Sequence, residues 1–149
     1  MPILNNPVYR SFVAPDLCID LHNAGLLINT PFNWIVEEGG EEVLLATDFF
    51  DDLTQKMSKA NIAYLVKYKG IHCMGTRYPA FTFADMTMIL PDFLLSRNNI
   101  EYEIHCSSLF PMEVEKAERF PDAAAAIVIK AIIKNLIPLN QAINLILKQ

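Results

Sequence analysis

The stretch "AAAAIVIKAIIKNLIPL", Ala123 to Leu139, constrains this chain more than any other. Spacing and composition predict a helix over "AAAAIVIKAIIKNL", with Asp122 as its cap and only Lys130 and Lys134, one turn apart, breaking an otherwise apolar circumference. Such a helix has to be covered by neighbouring elements or by a partner. Lys130, Lys134, Asn135 and Pro138 interrupt the run, so it does not make a clean membrane span of about 20 residues. The segment "LNQAINLILKQ" behind Pro138 predicts a second amphipathic helix or turn. Ile129, Ile132, Ile133, Ile143 and Leu147 are the side chains expected to meet a partner if the cover comes from outside.

The rest of the chain supplies what could cover it from inside. "APDLCIDLHNAG" predicts a first helix, with Pro15 in its opening turn, Leu17 and Leu21 one turn apart and Gly25 as its stop. "FNWIVEE" and "EEVLLA" predict two strands joined through Gly39-Gly40. "TDFFDDLTQKMSKAN" predicts a helix, and "AYLVKYKGIHC" a third strand. In "YPAFTFADMTMILP", Thr82 and Asp85 have capping-box spacing, Phe81 and Met86 stand at hydrophobic-staple positions, and Pro91 ends the helix. "NIEYEIHCSS" alternates as a strand, with "MEVEKAERF" as its hairpin partner or a loop. No compositional break divides the 149 residues, which predict one α+β domain over positions 1–149, a small, mostly antiparallel sheet packed against helices.

Composition narrows the partners. Acidic residues outnumber basic ones 17 to 12, for a net charge of −5, and the lysines and arginines are scattered along the sequence. Duplex nucleic acid, which needs a basic surface to replace its counterions, is not an expected partner, and neither is a membrane. Three cysteines is an odd number, and "MPILNNPVYR" lacks the basic start and apolar run of a signal peptide. A reducing cytoplasm is the expected setting.

The residues that invite a chemical reading are His and Cys. Ile-His-Cys occurs twice, at Ile71 to Cys73 and Ile104 to Cys106, and Cys18 and His22 are one turn apart in the first predicted helix. On strands, adjacent side chains point to opposite faces, so neither His-Cys pair chelates one ion easily. The paired C-x-x-C spacing of structural zinc is absent. The simpler expectation is that Cys73 and Cys106 are small core residues and the histidines face wetter surroundings. Glu37, Glu38, Glu41 and Glu42 around the Gly-Gly turn and the Asp51-Asp52 pair predict solvated carboxylates. No catalytic residue, metal site or cofactor is therefore expected. For a small ligand, Arg77, read as a loop residue of "GTRYPAF" beside a predicted helix start, is the expected anion contact, with Trp34 and Tyr78 as amphipathic walls.

Three stretches, "LCIDLHNAGLLINTPFNWI", "YPAFTFADMTMILPDFL" and "FPDAAAAIVIKAIIKNLI", together resemble a pattern in small proteins of bacteriophages and prophages, especially those of intestinal Bacteroidales. The first resembles that family's helix, glycine turn and aromatic-Trp strand, the second its Pro-Ala-x-Thr helix ending in Leu-Pro, and the third its closing Asp-Ala helix. The sequence differs from the pattern at Phe81, where a second proline is frequent. The resemblance implies an accessory protein of a phage or mobile element, its cytoplasm that of a bacterial host, and it brings no catalytic residues.

Three functional expectations follow. The first is a non-enzymatic protein that binds a host protein or itself through the C-terminal helices. The second is a small-ligand binder of anti-defence type that sequesters a nucleotide signal, and the third a metal- or cysteine-dependent enzyme.

Overall fold

The computed structural model describes residues 9–36, 42–46, 62–68 and 71–148. In chain order the elements are α1 (Pro15–Asn23), β1 (Phe32–Val36), β2 (Glu42–Ala46), β3 (Ile62–Tyr68), β4 (Ile71–Pro79), α2 (Phe83–Ile89), β5 (Leu94–Arg97), β6 (Tyr102–His105), β7 (Glu115–Ala117), α3 (Phe120–Ile133) and α4 (Leu139–Leu147). The fold is α+β with all strand pairs antiparallel, and the strands are distributed over two sheets. The chain divides into two compact units, one running up to Leu26 and resuming at Phe81, the other spanning Leu27–Ala80. The Gly39-Gly40 turn, the helix predicted over residues 47–61 and Asp51-Asp52 lie outside the described residues.

The first unit holds the four described helices and the sheet β5-β6-β7. Its helix ends follow from local chemistry. Pro15 opens α1, where a missing N–H costs nothing, and Gly25 closes it at φ 111°. The Gly25 amide donates to the His22 carbonyl (3.0 Å) and the Leu26 amide to the Leu21 carbonyl (3.1 Å), the paired bonds of a Schellman stop. At α2 the Thr82 side chain accepts from the Asp85 amide (3.2 Å) while the Asp85 carboxylate accepts from the Thr82 amide (2.9 Å), completing the expected capping box. Phe81 and Met86, at the staple positions, are both fully buried.

Two boundaries of α3 differ from expectation. It begins at Phe120 with Arg119 as N-cap, which places Asp122 at the third helical position. There the Asp122 carboxylate accepts from the Ala14 amide ahead of α1 (2.8 Å) and from Arg119 Nη1 (2.9 and 3.0 Å), so it ties two helix starts together instead of capping one. At the other end Asn135 takes φ 58° and the Leu136 amide reaches the Ala131 carbonyl (2.9 Å), so the helix stops at Ile133, short of Leu136.

The apolar circumference of α3 is covered mostly within its own unit, by α1, α2, β6 and β7. Ala123, Ala124, Ala125 and Ala131 are buried and small enough to let neighbouring backbones approach, while Ile127, Val128 and Ile132 fill the space between. Each of those larger side chains contributes roughly 1.5–3 kcal/mol by leaving water. Lys130 lies where the uncovered stripe was expected, paired with Glu113 and, at 3.4 Å, with Glu115, and standing 5.0 Å from the centroid of the Phe110 ring.

The second unit contains one sheet in the order β2-β1-β4-β3. β1 and β2 form the expected pair, Phe32 opposite Ala46 and Val36 opposite Glu42. The expected third strand over "AYLVKYKGIHC" is instead two strands, β3 and β4, with Tyr68 opposite Ile71 and a register shift between Leu65 and Tyr68. A reversal within a continuously strand-like composition carries little periodic signal, because period-2 alternation reads the same on either side of it. β5, over Leu94–Arg97, was not expected at all. Its turn into β6 is built by Asn98, whose side chain accepts from the Ile100 (3.1 Å) and Glu101 (3.0 Å) amides.

Candidate functional site

Strand register brings the sequence-selected trio close together in the chain's second unit, and also separates it. Trp34 pairs with Tyr78 and Ile35 with Arg77, so Trp34 and Tyr78 share one face of the sheet and Arg77 lies on the other. Arg77 is not a loop residue. It stands in β4, is 0% exposed, and donates from Nε to the Asn33 side-chain oxygen at 3.1 Å. Burial pulls its guanidinium pKa below the ordinary value. Trp34 is equally buried. These three side chains do not converge on one ligand, and Arg77 acts within the sheet.

The expected interface residues also separate. Ile132 is buried at 7% exposure and faces the core, whereas Ile133 is 68% and Leu147 63% exposed; Ile129 and Ile143 are half-buried.

The two Ile-His-Cys segments lie on strands of different sheets, so they are not cross-strand partners. The side chains of His72 and Cys73 lie outside the described residues. At the second segment Cys106 is buried and His105 half-buried, the inside-outside pattern expected. The Cys106 thiol donates to the Asp92 carboxylate (3.1 Å), which also accepts from the Ser107 hydroxyl (2.7 Å) and the Ser108 amide (3.3 Å). Burial, then the Asp92 contact, pushes the Cys106 thiol pKa up, the opposite of what a nucleophile needs. Cys18 is buried in α1 and donates to the Val13 carbonyl (3.5 Å), with His22 buried one turn on. Among the described residues no group of three or more His, Cys, Asp or Glu side chains could hold a metal ion, and no helix is long and apolar enough to cross a membrane.

A different set of residues forms a cleft in the first unit. Arg10, Arg97, Tyr102, Glu118, Arg119 and Phe120 line a space of about 370 Å³. Such a volume is in the range of small-molecule sites. The sheet and α3 build it together. The β5–β6 register sets Arg97, the last residue of β5, opposite Tyr102, the first of β6, and Tyr102 in turn opposite Ala117 at the end of β7. The chain leaves β7 through Glu118 and Arg119 and enters α3 at Phe120, so strand ends and a helix start meet at one place.

The walls are aromatic and the charges mostly positive. The Arg97 guanidinium lies 5.4 Å from the centroid of the Tyr102 ring. Tyr102 meets Phe120 edge to face (5.7 Å), Phe120 meets Phe83 (5.0 Å), and Phe83 meets Phe93 (6.0 Å). Arg119 is occupied in holding the fold. Its Nη1 binds both oxygens of Asp122, and its Nη2 donates to the carbonyls of Tyr9 (2.9 Å) and Phe12 (2.7 Å). Those bonds, with the Ser11 carbonyl accepting from the Phe83 amide (2.8 Å), fix the backbone on either side of Arg10 while its side chain stays exposed. Arg97 is exposed too, and among the described residues neither Arg10 nor Arg97 belongs to an ion pair.

Sequence reasoning missed this cluster because its three arginines are separated by 87 and 22 positions (Arg10, Arg97, Arg119) and converge only through strand register and the Arg119 bonds that hold the backbone around Arg10. The available signal was weak: the Asn-Asn turn after Arg97 and the aromatic next to Arg119. No family model, curated protein or solved structure matches the chain.

Proposed function

We propose that the protein acts by binding a small organic anion in the cleft at the start of α3. The observation that carries this reading is the pairing of two exposed guanidiniums, Arg10 and Arg97, outside any ion pair among the described residues, with the aromatic walls Tyr102 and Phe120. In a chain of net charge −5 such a local excess of positive charge attracts an anion that the rest of the surface repels. The rings shelter a planar apolar portion, and a nucleotide has both parts. For an accessory protein of a phage or mobile element in a bacterial cytoplasm, the corresponding role is sequestering a nucleotide signal of host defence. A thermal-shift panel of linear and cyclic nucleotides tests it: the melting temperature rises with at least one, and Arg97→Ala reduces the rise. A flat response across the panel contradicts the reading.

A second reading rests on the exposed Ile133, Leu136 and Leu147 near the ends of α3 and α4. These residues support self-association or capture of a host protein. Light scattering on the wild type and on Ile133→Asp with Leu147→Asp decides it, since the variant is monomeric and the wild type larger if these side chains join copies.

A further inference from the structure

Glu118, the lone carboxylate among the described residues of the cleft, narrows the ligand further, on the reading that the cleft binds a nucleotide. Arg10 and Arg97 supply two positive charges that no acidic partner neutralises among the described residues, whereas the third guanidinium, Arg119, is already matched by Asp122. Two guanidiniums suit the two charges of one phosphomonoester, which planar N–H forks recognise well. Glu118 lines the same cleft and is exposed. A carboxylate is an acceptor only, so toward a ligand it favours hydroxyl or amine donors and repels additional phosphate charge.

We infer that the cleft selects a ribonucleoside monophosphate, with the phosphate on Arg10 and Arg97, the base against the Tyr102 and Phe120 rings, and a ribose hydroxyl donating to Glu118. The arrangement rejects ligands from both sides. A nucleoside lacks the group that engages the guanidiniums. A triphosphate brings negative charge that Glu118 opposes and that, among the described residues of the cleft, no further unpaired arginine offsets. Removing the 2′-hydroxyl takes away one donor for the carboxylate, which weakens the ligand without touching its charge. A cyclic dinucleotide carries the same two charges on separated phosphodiesters, and the rings of one mononucleotide-sized cleft shelter only one of its bases.

Titration calorimetry separates these ligands on the wild type and on Glu118→Gln. The wild type binds nucleoside 5′-monophosphate more tightly than its 2′-deoxy form, the triphosphate, a cyclic dinucleotide or inorganic phosphate, by about fivefold or more over the triphosphate, the effect of one like charge near contact in solvent. Glu118→Gln raises triphosphate affinity and narrows the preference for ribose over deoxyribose. The inference is overturned if the wild type prefers the triphosphate or the dinucleotide, or does not distinguish ribose from deoxyribose. It is overturned equally if Glu118→Gln leaves the monophosphate-to-triphosphate ratio unchanged. In those cases a nucleotide still binds and the cleft reading stands; absence of binding by every ligand, with Arg97→Ala indistinguishable from wild type, overturns both. The ribose-deoxyribose comparison uses only the wild type and is independent of how the variant folds.

Discussion

The Arg97 guanidinium lies over the Tyr102 ring, 5.4 Å from its centroid, because the β5–β6 register places the two residues directly opposite each other. The ring holds the cation at the cleft and limits the rotamers it explores. Tyr102→Leu keeps an apolar residue at the strand position but removes the π face. Since a cation–π contact at an exposed site contributes about 0.5–1 kcal/mol, nucleotide affinity falls about two- to fivefold. In an Arg97→Ala background the same substitution has a smaller effect. Calorimetric double-mutant cycles measure that coupling.

Asp92 provides a pH prediction. The hydroxyl of Ser107 and then the thiol of Cys106 stabilise its carboxylate and hold its pKa at about 2, below the ordinary 3.8. A depressed folded-state value means that the contribution to stability is complete above pH 3.8 and is lost as pH falls through about 2. Carboxyl NMR titration should find Asp92 still ionised at pH 3. Asp92→Asn should flatten the dependence of stability on pH within that window and leave the slope near neutrality unchanged.

The two left-handed helix stops respond differently to substitution. Gly25 has φ 111°, and a Cβ added there would stand 2.6 Å from Leu139 Cδ2. Gly25→Ala therefore costs about 1–3 kcal/mol in urea unfolding. At Asn135, with φ 58°, glycine relieves the conformational cost of a side chain, so Asn135→Gly is neutral or slightly stabilising while Asn135→Ala loses about 1 kcal/mol.

At the start of α2, Thr82→Ala removes the acceptor for the Asp85 amide. About 1 kcal/mol is lost, as at other helix caps, and Thr82→Ser retains most of it. Chemical denaturation of the three proteins side by side gives the comparison.

These local signals were legible because each is written within a few residues. Pro15 and Gly25 bound α1, and Thr82 with Asp85 and Pro91 bound α2, whatever the rest of the chain does. Asp122 misled because an acid ahead of an alanine run satisfies the same cap preference, while the residue that it serves, Ala14, is 108 positions away. Arg77 looked like a loop residue because "RYP" precedes a helix start, yet its strand pairs with β1 and carries it into the interior. The cleft required register across β5, β6 and β7, and β5 itself was unread. A site assembled from strand ends is the kind of feature that local pattern does not encode.

The most direct measurement is an amide and side-chain NMR titration with nucleoside 5′-monophosphate. The account predicts saturable shifts concentrated at Arg10, Arg97, Tyr102 and Glu118 to Phe120, with Trp34, Arg77 and Tyr78 unmoved. Saturable shifts centred on Trp34 and Tyr78, or no saturable shift anywhere, would contradict it.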